Sequence, residues 1–192
     1  MGSETNLQLQ PESVSRDGTI IGILATGGIR PGPAWTLSLS APSTEKPGSF
    51  LDPKSLKLGA AFSPDGHWVA YAESATGDPR RADIYVTPYP GPGGHVPIST
   101  EGGTEPRWRN DGRELFYRSG DKMMAVDVEV GSEVRAGSPR LLFEGYSNNN
   151  GYDVAPDGKR FLMVKSSSSA PSNRLTFVVN WFEELKARMP PK

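Results

Sequence analysis

The chain has 192 residues, 21 basic and 22 acidic side chains, a net charge of −1 and no cysteine. So neutral a balance sets up no broad field to attract nucleic acid or anionic lipid, and the cysteine count excludes disulfides, thiolate nucleophiles and Cys-ligated zinc. Glycine and proline number 22 and 18, and aromatics make up 9% of the chain, a mixture that favours many short strands joined by turns over a helical bundle.

Residues 1–7 read as a flexible N-terminus or a fragment start, and MGSETNLQLQ, with neither a basic n-region nor an apolar h-region, does not read as a secretory signal. From residue 8 a repeat takes over. SRDGTIIGIL (15–24), SPDGHWVAYA (63–72), RNDGRELFYR (109–118) and APDGKRFLMV (155–164) align on Gly18, Gly66, Gly112 and Gly158, which stand 48, 46 and 46 residues apart. Each preceding Asp (Asp17, Asp65, Asp111, Asp157) with its Gly signals a tight turn, since Gly accepts φ > 0 and Asp can bond its own backbone.

Ahead of each turn lies a short run that reads as an inner strand, near 59–63, 105–109 and 151–155 in the last three repeats. After it come an alternating run such as HWVAYA, a third run (AWTLSL 34–39, ADIYVTP 82–88, KMMAVDVEV 122–130, LTFVV 175–179), and an outer run (VPIST 96–100, RLLFEG 140–145, more weakly GSFL 48–51). Four antiparallel strands in roughly 46 residues is the signature of a propeller blade. The expected fold is therefore an all-β propeller of about four four-stranded blades, part of a larger propeller, with a short C-terminal α-helix. Its blades fall near 8–56, 57–103, 104–149 and 150–179, with helix and tail over 180–192. Asn180 caps that helix, and WFEELKARM is amphipathic.

The longest apolar runs, IIGILA (20–25) and LTFVV (175–179), fall short of the ~20 residues that span a bilayer, so no direct membrane insertion is expected. No motif carries chemistry. GPGG (91–94) and TGG (26–28) lack the Gly-Lys-Ser/Thr ending of a phosphate loop, and the serine run Ser166–Ser169 is no nucleophile elbow. The four turn aspartates are spread one per blade, and no EF-hand series is present. His67 beside a turn and His95 in a loop read as solvated. The expectation is no catalytic residue, no cofactor and no metal. Phe62, Tyr71, Tyr85, Trp108 and Tyr117 recur in register and read as packing between blades. Arg80–Arg81 and Arg107/Arg109 are the local basic concentrations, too few for a nucleic-acid footprint.

FSPDGHWVAYAES followed by DIYVTPYPGPGG resembles the WD-like repeat of TolB-type β-propellers. The later series, STEGGTEPRWRNDGRELFYRSGDKMMAVDV through NWFEELK, resembles the C-terminal propeller of bacterial eukaryotic-like serine/threonine kinases. The resemblance covers residues 8–188, and departs from SPDG in the first, third and fourth repeats. It implies a sensing or protein-interaction module, extracytoplasmic if it belongs to a membrane-spanning kinase and cytoplasmic otherwise. The chain carries no kinase motif, so phosphotransfer is not implied.

Function is then expected on the rim where loops entering the inner strand meet loops joining the second and third strands. That rim comprises Asp78, Arg80, Arg81, Thr104, Glu105, Arg118, Asn148, Asn149, Asn150 and Tyr152, on loops of the kind that carry binding. The expected partner is a protein or peptide. The alternatives are a substrate-gating propeller of an S9-like serine peptidase and a propeller hydrolase. Four repeats suggest an open arc, with an apolar face around Ile20, Ile21, Ile23, Trp35 and Leu37 covered by upstream blades or by self-association. A closed ring, with residues 3–9 supplying a last strand, is the other possibility.

Overall fold

The computed structural model describes residues 8–26, 34–40, 48–51, 55–91, 93–145 and 151–163. The first blade runs β1 (Gln8–Val14), β2 (Ile20–Thr26), β3 (Ala34–Ser38) and β4 (Gly48–Leu51), neighbours in that order. The second has β5 (Leu56–Phe62), β6 (Trp68–Ser74), β7 (Asp83–Pro88) and β8 (Val96–Pro97) in the same order. In the third, β9 (Thr104–Trp108), β10 (Glu114–Ser119) and β11 (Lys122–Val130) are followed by β12 (Val134–Ala136) and β13 (Arg140–Phe143). The described part of the fourth is β14 (Tyr152–Val154) paired with β15 (Phe161–Met163). Every described pairing is antiparallel, and the fold is a β-propeller.

The sheets share one turn. In the first two blades the turn serine accepts nothing from its own Asp but donates to it: Ser15 Oγ lies 2.6 Å from Asp17 Oδ1 and Ser63 Oγ 2.5 Å from Asp65 Oδ1. The amides of Thr19, His67, Arg113 and Lys159 donate to Oδ1 of Asp17, Asp65, Asp111 and Asp157 at 3.0–3.1 Å. The following glycines sit at φ 67–76°, the left-handed region that a β-carbon opposes. Where the third repeat has RNDG, Arg109 takes the serine's place and grips Asp111 through Nε and Nη2 at 2.7 and 2.6 Å. That grip holds the Asp111 carboxyl down at about 2. In the fourth, Ala155 offers no side-chain donor, yet its backbone bonds close the same turn.

Apolar side chains pack between neighbouring blades. Leu24, Ala34 and Leu51 meet Ala60, Val69 and Tyr71 between the first and second. Ala70, Ile84, Val86 and Ile98 meet Leu115, Tyr117, Val126 and Val128 between the second and third. Phe116, Met123 and Ala125 meet Tyr152 and Phe161 between the third and fourth. The aromatic residues in register with the repeat thus serve packing. Inner strands are also stapled across blades: Phe62 N donates to Ser13 Oγ (3.4 Å), Trp108 Nε1 to the Ala61 carbonyl (3.1 Å) and Tyr152 Oη to the Glu105 carbonyl (2.9 Å).

Several expectations change. β12 is an added strand: β11 is nine residues long, so β13 pairs with Met123–Ala125 while β12 pairs with Val128–Val130. GSFL forms a full outer strand, whereas VPIST is a strand only over Val96–Pro97. Residues 8 and 9 pair with Thr26 and Ala25 respectively, so they belong to the inner strand of the first blade and not to the last blade. Ile20 lies opposite Ser38 while Ile21 and Ile23 lie opposite Leu37 and Trp35, so alternation puts Ile20 on the other face from Ile21 and Ile23. LTFVV and the helix over 181–188 lie outside the described residues.

Candidate functional site

The inner strands are not regular. Each of β1, β5 and β9 carries a bulge, between Pro11 and Ser13, between Leu58 and Ala61, and between Thr104 and Arg107. A bulge bends a strand and re-aims its side chains. Six residues before the turn Asp, Gly59, Glu105 and Gly151 all have left-handed backbones, at φ 57, 57 and 74°. Glu105 is the one non-glycine residue among the described residues with positive φ.

These bulges border a cleft of about 590 Å³ at one end of the central channel. Its wall takes Glu12 from β1, Leu58 and Gly59 from β5, Arg80 from the loop after β6, and Thr104, Glu105 and Arg118 from the third blade. Arg118, 6% exposed at its side chain, reaches Glu105 Oε1 at 3.5 Å and donates through Nη2 to the Gly120 carbonyl at 3.0 Å. Arg80 is the exposed lip. It donates through Nε and Nη2 to the two oxygens of Asp78 at 3.1 and 3.0 Å, and this grip holds the Asp78 carboxyl below its usual range. Asp78 also caps the 3₁₀ turn Pro79–Arg81, accepting from the Arg80 amide. Burial pushes the Glu12 carboxyl above its usual range, and the nearby charge of Arg107 opposes that rise.

At the other end, where the Asp-Gly turns of all four repeats converge, a second cavity of about 380 Å³ is lined by Ser13 and Val14, Ala61 and Phe62, Trp108, and Val154 to Pro156. Arg107 lines both cavities. It stands four residues before its turn Asp, where the other repeats have Ser13, Ala61 and Asp153.

The structure therefore brings together Arg80, Thr104, Glu105 and Arg118 of the expected rim. Asp78 supports Arg80 from behind, and Arg81 is exposed without lining the cleft. Tyr152 is a correction. It is 7% exposed, packed between the third and fourth blades and bonded to the Glu105 carbonyl, because the left-handed Gly151 turns its ring inward. Asn148, Asn149 and Asn150 lie outside the described residues. Glu12 and Arg107 were missed as site residues. Aligning the repeats on the turn Asp finds Arg107 where the first two repeats have the small Ser13 and Ala61, and Glu12 where the second and third have Ala60 and Pro106. Among the described residues no group of His, Asp and Glu is arranged to hold a metal ion, and no helix is long and apolar enough to cross a membrane.

No protein-family model and no curated protein matches the chain. Solved structures do. The chain is similar to TolB from Acinetobacter baumannii (16% identity, TM-score 0.61, over 83% of this chain and 38% of that one). It is similar to a TolB-type protein of Agrobacterium tumefaciens (19% identity, TM-score 0.56, over 83% and 60%). Prolyl oligopeptidase B from Galerina marginata aligns at 17% identity and TM-score 0.51, over 83% of this chain and 27% of that one. The chain thus spans less than two thirds of each of these proteins. At such identities the likeness shows the fold, a TolB-like β-propeller.

Proposed function

We propose that this propeller is a non-catalytic interaction module that binds a protein or peptide at the mouth of its channel. The observation that carries the reading is the cleft of about 590 Å³, into which loops and bulged strands of three blades bring Glu12, Arg80, Thr104, Glu105 and Arg118. Cavities of roughly 300–1,000 Å³ with a few convergent polar groups suit a side chain or short peptide segment. The walls are rigid, because each bulge is tied into a sheet of four or five strands, so binding costs little ordering of the receptor. Resemblance to kinase C-terminal propellers supports the finer reading of a sensing or scaffold region in a kinase-type receptor.

The test is a random peptide array probed with the full chain. Selected peptides should lose binding at least about tenfold to an Arg80→Glu, Thr104→Lys variant and keep it with Lys159→Glu, which lies at the opposite end. Selections insensitive to the mouth variant would move the site elsewhere.

A further inference from the structure

We infer that the channel recognises a carboxylate on its peptide partner, with Arg107 as the receiving group and Glu12 as its competitor in the empty protein. The inference deepens the interaction reading above and rests on it.

Position comes first. Arg107 is on the inner strand β9 and borders both channel cavities, so a segment entering from the mouth meets its guanidinium before reaching the turn end. Among the described residues that guanidinium makes one hydrogen bond, from Nη1 to the Pro106 carbonyl at 2.9 Å. Its remaining N–H groups form the planar fork that matches a carboxylate in a bidentate pair. The walls beyond it are largely apolar, with Val14, Ala61, Phe62, Trp108 and Val154, interrupted by Ser13, Ser63 and Asn110 and, among the turn residues, by Arg16. A carboxylate with an adjoining apolar side chain fits both features, and low-dielectric walls strengthen the pairing.

Glu12 supplies the competing carboxylate. It lines the mouth cleft from β1, its charge interacts with Arg107, and burial raises its pKa. The other charged groups lining the cleft are Arg80, Glu101, Glu105 and Arg118, and the Tyr152 hydroxyl of β14 lies within electrostatic reach of Arg107, Glu105, Arg118 and Asp153. Arg80 and Arg118 are held by Asp78 and Glu105 respectively, which leaves Arg107 as the cation opposite Glu12. An incoming carboxylate repels ionised Glu12, so binding favours its protonated form and takes up a proton there. Affinity then rises as pH falls toward the raised pKa of Glu12, and the ligand carboxylate, with its lower pKa, stays ionised.

The experiment follows the indole N–H resonance of Trp108 in the full chain during titration with acetyl-Ala-Phe-Ala carrying a free carboxylate, with its C-terminal amide, and with acetyl-Ala-Phe-Glu amide. The two acidic peptides distinguish a chain terminus from an acidic side chain. At least one is expected to bind about tenfold tighter than the neutral amide, to tighten as pH falls from neutrality toward the raised Glu12 value, and to lose its advantage with Arg107→Gln. Glu12→Gln should tighten acidic binding at about pH 7.5 and flatten the pH profile. This second variant keeps the test open if Arg107→Gln folds poorly. Equal binding of all three peptides overturns carboxylate recognition and leaves peptide binding standing. Titration of none, or an unchanged profile in Glu12→Gln, overturns the inference, and the array judges the interaction reading separately.

Discussion

The Tyr152 hydroxyl donates a 2.9 Å hydrogen bond to the backbone carbonyl of Glu105, the described non-glycine residue held at positive φ. The bond crosses from the fourth blade to the third, and its acceptor lies within the bulge that forms the channel mouth. Blade packing and site geometry therefore meet at one carbonyl. Tyr152→Phe keeps the ring and removes the donor, leaving that carbonyl short of a partner. The expected loss is about 1–2 kcal/mol, read as a lower urea midpoint. An unchanged midpoint would show that water replaces the hydroxyl.

Left-handed glycines differ in what surrounds them. Around Gly18 a β-carbon meets nothing within 4 Å, whereas at Gly59 it comes to 3.3 Å from Glu105 Cα and from Pro106 Cδ. Gly18→Ala and Gly59→Ala each carry backbone strain of about 1–2 kcal/mol. Gly59→Ala should cost visibly more, because a neighbouring backbone atom cannot rotate away. Equal losses in denaturant would mean that the inner strands separate freely.

Lys57 is buried on β5, with 2% of its side chain exposed, and its ammonium lies 2.9 Å from Glu73 Oε1 and against Ser55 Oγ. Glu73→Gln removes the charge facing that ammonium and should cost about 2–3 kcal/mol, at or below the usual range because Glu73 is partly exposed. Adding Lys57→Met should restore much of the loss. A double-mutant cycle with no coupling would argue that other partners carry Lys57.

Glu12 gives a pH signature of its own. Its native pKa is raised above the ordinary 4.5, so the folded state holds the proton more tightly than the unfolded state does. Its contribution is therefore most favourable below the unfolded value and is lost as pH rises through the native one. Glu12→Gln should raise the melting temperature at neutral pH, with the difference shrinking on acidification and disappearing below about pH 4.5. A difference that grows on acidification would mean that Glu12 is stabilised as a carboxylate.

The repeat was legible because its turn chemistry is local. An Asp bonding the amide two residues on, and a Gly accepting positive φ, need no tertiary partner, so four turns and their flanking strands stand out by spacing alone. The same locality placed Arg80 in the turn after β6, whereas Thr104, expected on a loop, opens the inner strand β9. It could not place Tyr152, whose side chain depends on the left-handed Gly151 and on a pocket built by another blade.

The sequence by itself determined the repeating four-stranded unit, the four Asp-Gly turns and the all-β fold, because these follow from backbone conformations set within a few residues. The tertiary structure decided which charges meet. Glu12 and Arg107 are 95 positions apart and carry no motif, yet bulged inner strands bring them to one channel where burial raises one and leaves the other with spare donors. Electrostatic pairing depends on distance and dielectric, and both are properties of the assembled sheets.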